Sequence, residues 1–147
     1  MSKDFVFLNG DVVVTVPTDR PRKLNAVKLD DLGNPDMNPT SGDFKPIRVV
    51  ANIVLEEEGK PGVFLTDLGQ PVDIKIRYTK ADHDAAAALG KPLALGFWDV
   101  SQRRWVRLTP KKHGFLLQAD DPNHPEKGGF GKISISKWAD PPSSWGT

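Results

Sequence analysis

The stretch "VDIKIRY" leaves the chain little choice of local structure. Val72, Ile74, Ile76 and Tyr78 alternate with Asp73, Lys75 and Arg77, so an extended backbone puts every apolar side chain on one face and every charge on the other. A helix would scatter them around its circumference. Two further runs, "DVVVTVP" from Asp11 and "IRVVANIVLEEE" from Ile47, are rich in β-branched residues and read as more deeply buried strands. Additional candidates are Phe5 to Leu8, Val63 to Leu65, Leu93 to Trp98, Trp105 to Leu108, Phe115 to Gln118 and Lys132 to Trp138. Thirteen glycines and thirteen prolines punctuate these segments. About nine short strands separated by turn residues describe an all-β chain, specifically an immunoglobulin-like β-sandwich of eight to nine strands.

One helical segment interrupts the pattern. In "TKADHDAAAALG", Thr79 is placed to cap a helix containing Ala81, Ala85 to Ala88 and Leu89, with Gly90 and Pro92 ending it. Asp82 and Asp84 lie near its N-terminal end, where negative charge is favoured. Its apolar face is small, which suits a cap over one end of the sandwich. Two long segments read as loops: Thr18 to Pro46, which has room for a short strand around Ala26 to Leu29, and Ala119 to Gly131. No repeat or linker divides the chain, so all 147 residues are read as a single domain.

Composition removes several chemistries. There is no cysteine, hence no disulfide, thiolate nucleophile or cysteine metal site. Twenty basic and nineteen acidic residues leave a net charge of +1, which favours neither nucleic acid nor an anionic membrane. No apolar run approaches the roughly 18 to 20 residues of a membrane helix. The N-terminal segment lacks the apolar core of a secretory signal, so a complete gene product with this sequence is expected in the cytoplasm.

Local motifs for catalysis are weak. His83, His113 and His124 are the only histidines, and no "GxSxG" elbow is present. "DDPNHPE" gathers Asp120, Asp121, Asn123, His124 and Glu126, but Pro122 and Pro125 restrict convergence on a metal, and such residues populate ordinary turns. "GGFGK" from Gly128 lacks the remaining spacing of a phosphate loop. The basic run Arg103, Arg104, Arg107, Lys111 and Lys112 is interleaved with apolar strand positions, as on the wet face of a strand. No cofactor and no metal are expected.

The least ordinary feature is "LGFWDVSQRRWVRL", a hairpin with a tryptophan on each arm. If Leu93, Leu95, Phe97, Val106 and Leu108 face the core, Trp98, Trp105 and Arg107 face the other way, and Gly96 leaves space beside the indoles. Two readings follow. Trp98, Trp105, Arg107 and the C-terminal Trp145 form a contact surface for a sugar or protein, or another part of the chain covers them. The second is preferred, because large exposed aromatic patches are rare on soluble proteins. The tail containing Pro141, Pro142 and Trp145 is itself a candidate to dock in a groove in polyproline form.

From about Gln70 to Trp138, the order "PVDIKIRY", acidic-alanine helical turn, "LALGFWD", "RRWVRL" and "GKISISKWAD" resembles β-sandwich modules of bacterial surface and multidomain proteins, and more distantly the ZU-type domain of ankyrins and netrin receptors. The resemblance implies an immunoglobulin-like sandwich used for assembly and protein contacts. Some relatives cleave their own backbone at a His-Phe-Ser triplet; the matching positions here are Lys137, Trp138 and Ala139, and without the serine hydroxyl that reaction is not expected. The expectation is therefore a non-catalytic structural or protein-interaction module, with self-association as one form of partnering. A carbohydrate-binding module using the tryptophans is the alternative, and a small enzyme built on the His124 loop is third.

Overall fold

Eleven strands form in the computed structural model, which describes residues 2–17, 24–30, 44–50, 52–57, 60, 67–99, 102, 104–137 and 144–147. In chain order the first five are β1 (Ser2–Phe7), β2 (Val12–Pro17), β3 (Leu24–Asp30), β4 (Pro46–Val49) and β5 (Asn52–Glu57). They are followed by β6 (Asp67–Thr79), the helix α1 (Lys80–Ala88), β7 (Ala94–Asp99) and β8 (Arg104–Arg107). A one-turn helix α2 (Pro110–His113) then leads to β9 (Leu116–Ala119), β10 (Gly128–Lys137) and β11 (Ser144–Gly146).

Nine of the strands build two antiparallel sheets, ordered β1-β2-β6-β10-β9 and β4-β11-β7-β8, while β3 and β5 pair with each other. The alternation read from Val72 to Tyr78 positions β6 at the centre of the larger sheet, with Val72, Ile74, Ile76 and Tyr78 buried. Val12, Val14 and Val16 of β2 join them on the same face. Against this face pack Leu93, Leu95, Leu108 and Trp145 from around the smaller sheet, completing one core between the sheets. The fold is thus an all-β sandwich with a short helix.

The helix starts where the sequence places it. Thr79 accepts a hydrogen bond from the Asp82 N–H at 3.3 Å, and the Thr79 N–H donates to Asp82 Oδ2 at 2.9 Å. This reciprocal capping box satisfies two of the donors that a helix start leaves unpaired. Ala86 turns inward, Ala85 is half-buried, and Ala81, Ala87 and Ala88 stay exposed.

Three elements differ from the sequence reading. The apolar run from Ile47 is two strands, β4 and β5, which belong to different sheets. The run contains no glycine or proline to signal the break. The end of the tail docks on its own domain as a strand: β11 lies between β4 and β7, and Thr147 and Lys45 exchange backbone hydrogen bonds at 2.9 and 3.0 Å, while Pro141 and Pro142 lie outside the described residues. The final long strand begins at Gly128, so "GGFG" is part of it. The strand expected at Val63 to Leu65 lies outside the described residues.

Candidate functional site

The tryptophan hairpin forms in the expected register, with Trp98 opposite Trp105 and Gly96 opposite Arg107. The expected faces also hold, because Leu95 enters the main core while Trp105 does not. Exposure is where the contact-surface reading fails. Trp105 is 0% exposed. Phe44 closes over it, ring centroids 5.9 Å apart, and forms a second small cluster with Ala94. The space beside Gly96 belongs to the same ring: a Cβ at Gly96 would lie 2.6 Å from Phe44 Cε1. The gap inferred from Gly96 is thus filled from within the chain, by a residue near the C-terminal end of the Thr18 to Pro46 segment.

Trp145 is likewise 0% exposed. Its indole stands edge-on to Tyr78 at 5.6 Å, and its Nε1–H donates to the Arg77 carbonyl at 2.8 Å. Neither Trp105 nor Trp145 is available to a ligand, which corrects their assignment as contact residues. The side chain of Trp98 lies outside the described residues. The substitution Gly96→Ala tests the covered-indole geometry. It is expected to cost about 1 to 3 kcal/mol by forcing the ring aside, with increased acrylamide quenching of tryptophan fluorescence; unchanged quenching and stability would contradict the packing.

The His124 loop is a set of locally satisfied groups. Asp120 Oδ2 accepts from Arg77 Nη1 at 2.7 Å, Asp121 accepts from the Asn123 N–H at 3.0 Å, and His124 Nδ1 lies 3.1 Å from Glu126 Oε1. Glu126 is held below the ordinary carboxylate value, chiefly by a hydrogen bond from its own backbone N–H and then by His124. The Tyr78 hydroxyl donates to the Pro125 carbonyl at 3.0 Å and pins the loop to the core, while burial raises the Tyr78 pKa. Among the described residues, no three His, Asp or Glu side chains converge as metal ligands. His83 belongs to α1, His113 closes α2, and Ala139 lies outside the described residues.

Arg107, the remaining predicted contact residue, has a different setting from the one expected. It lies half-buried on β8 and lines a groove of about 430 Å³ shared with Leu93, Leu108, Phe115, Leu116 and Leu117. The groove exists because the chain changes sheets here. β8 ends the smaller sheet, β9 ends the larger one, and α2 connects them along one side of the sandwich. Thr109 caps α2 by accepting from the Lys112 N–H at 3.2 Å, Pro110 starts it, and Gly114 leaves it at φ 64°. "TPKKHG" is a legible helix signal of cap, proline and terminal glycine.

Beside the groove, β9 presents both apolar side chains and unpaired backbone. Leu116 is 60% exposed and Leu117 is 38% exposed. Two successive leucines in a strand point to opposite faces, so one of them must leave the core. The Asp120 N–H bonds the Gly128 carbonyl at 3.1 Å, and β9 pairs with β10 so that Gln118 opposes Phe130 and Leu117 opposes Gly131. Hydrogen-bonded pairs alternate along an antiparallel ladder, so Leu116, Gln118 and Asp120 bond to β10. Leu117 and Ala119 then aim N–H and C=O away from it, and no further strand flanks β9 among the described residues.

No family model matches the chain, and no curated protein or solved structure shows a significant likeness to it. Among the described residues, no helix is long and apolar enough to cross a membrane.

Proposed function

We propose that this chain is a non-catalytic structural or protein-interaction module that engages an extended segment of a protein partner by strand addition at β9. The observation that carries the reading is the pairing of outward-facing backbone at Leu117 and Ala119 with exposed leucine side chains and an adjoining apolar groove. Strand addition uses these two features in different ways: main-chain hydrogen bonds supply affinity, and pockets for alternate side chains supply selectivity. The assembly role implied by the ZU-type resemblance over Gln70 to Trp138 is part of the same proposal. So is the absence of catalysis, supported by the way His124, Asp120 and Asp121 are each engaged locally.

A display library of extended peptides panned on the folded chain tests this. Binders with apolar residues at alternate positions are expected, with binding lost in Ala119→Pro. That proline places its ring where the outward N–H was and removes no bond to β10. Recovery of no extended binders, or of binders indifferent to Ala119→Pro, would overturn the proposal.

A further inference from the structure

Sheets end in strands that must be kept from pairing with other chains, and proteins usually protect them with charge, proline or irregularity. Here β1 carries Lys3 and Asp4, β4 carries Pro46 and Arg48, and β8 carries Arg104 and Arg107. In the separate pair, β3 carries Lys28 and Asp30 and β5 carries Glu56 and Glu57. β9, with the sequence Leu-Leu-Gln-Ala, has neither charge nor proline. It is the one unprotected end strand among the described residues.

The charges lie just beyond it, and their order matters. Lys111 and Lys112, both exposed on α2, precede the strand, and Asp121 follows it beside Asp120, which Arg77 already pairs. A second copy running antiparallel would set the basic end of each strand beside the acidic end of the other. A parallel copy would set lysine beside lysine. The pattern is therefore complementary to itself in one orientation only, the two-fold one.

We infer that two copies of this chain pair antiparallel through β9, joining their larger sheets into one sheet of ten strands. The inference rests on the strand-addition reading and names its occupant as the chain itself. The hydrogen-bond phase fixes the register. The outward-facing residue nearest the middle of the strand is Leu117, so Leu117 opposes Leu117 of the second copy, and the two exchange N–H and C=O bonds. The Ala119 N–H of each copy then meets the Phe115 carbonyl of the other. Leu116 falls opposite Gln118 of the second copy, which covers the most exposed leucine of the strand. The two Leu117 side chains meet on the face that borders the groove.

An interface built on one short strand is at the weak end of specific association, with a dissociation constant on the order of 10 to 100 µM. Sedimentation velocity of the whole chain between about 1 and 500 µM brackets that range. Wild type is expected to shift from monomer to dimer, and Ala119→Pro is expected to stay monomeric with its circular dichroism unchanged. If that proline variant fails to fold, two charge variants decide. Lys111→Glu/Lys112→Glu and Asp121→Lys are each expected to weaken self-association about tenfold or more, and mixing them is expected to restore dimers. Asp121→Lys leaves the Arg77–Asp120 ion pair in place.

A wild type that remains monomeric throughout overturns the inference. So does a dimer that both variant classes leave intact. A monomer that still binds extended peptides in an Ala119-dependent way overturns self-pairing alone and leaves the strand-addition reading standing. Loss of both overturns both.

Discussion

Trp145→Ala is expected to lower stability by about 3 to 5 kcal/mol, a large part of the margin of a typical domain. The indole fills the space between the sheets, where Gly131 lacks a Cβ that would otherwise strike its ring and lie 3.1 Å from Leu95 Cδ1. Removing it leaves a cavity that neighbouring strands cannot close, since β11 itself is held on both sides by β4 and β7. A fall in Tm of about 10 to 20 °C follows for a domain of this size. Trp145→Phe retains most of the ring but not the Nε1–H that bonds the Arg77 carbonyl. That carbonyl keeps a second donor in Arg48 Nη2 at 3.3 Å, so a smaller loss of about 1 to 2 kcal/mol is expected. Thermal melts of the two variants check both figures. Equal losses, or none, would mean that the tail does not complete the sandwich.

The second large effect concerns Arg48 and depends on pH. Its guanidinium bonds Asp82 through Nε at 2.9 Å and Nη2 at 2.7 Å, tying β4 to the helix cap. Burial alone would raise the Asp82 pKa, but Arg48 and the Thr79 N–H outweigh it and hold the carboxyl below its ordinary value. The Arg48 pKa is raised, first by the hydrogen bond to Asp82. A carboxyl with a depressed folded pKa contributes stability that is present above its unfolded value, about 4. That contribution is lost as pH falls through the folded value. In Arg48→Met the opposing cation is gone and burial dominates, so the Asp82 folded pKa is expected to rise above the unfolded one. The sign then reverses, and the variant loses stability as pH rises.

The cost of Arg48→Met is accordingly expected to be about 2 to 3 kcal/mol at pH 7, toward the lower end for a broken buried pair because Arg48 itself is partly exposed. The cost should shrink below about pH 4, where Asp82 is protonated. Arg48→Met/Asp82→Asn removes the stranded charge and is expected to recover part of the loss at pH 7. Denaturant titrations at pH 3 to 7 check this, and a cost independent of pH would contradict the role assigned to Asp82.

The sequence carries these elements unequally, for identifiable reasons. Val72 to Tyr78 was readable because one face of β6 is buried and the other wet, which imposes strict alternation. Thr79 and Asp82 were readable as helix punctuation, although the Arg48 bridge was not, because Arg48 reaches Asp82 only after β4 has been placed in the opposite sheet. Trp105 was assigned to the correct face, and a cover from elsewhere in the chain was the preferred reading, but the covering residue itself was not legible. Its cover, Phe44, is distant in sequence and sits at the end of a segment whose polar composition gives no sign of a ring over the hairpin.

β11 offers too few residues to show a period, and its place between β4 and β7 depends on strands whose order alternation does not encode. The β9 edge was half visible: "FLLQ" announces an exposed leucine, but edge position is a property of the completed sheet. The basic residues that looked like one run are separated by folding, with Arg104 and Arg107 on β8 and Lys111 and Lys112 on α2.

Residue-resolved amide and indole hydrogen exchange on a dilute, monomeric sample distinguishes indoles that belong to the packing from a β9 edge that is open. Slow exchange is expected for the Trp145 indole N–H and for the amides of Gln118 and Asp120, with fast exchange at Leu117 and Ala119. Fast exchange of the Trp145 indole, or protection of Leu117 and Ala119 equal to that of Gln118, would contradict that distinction.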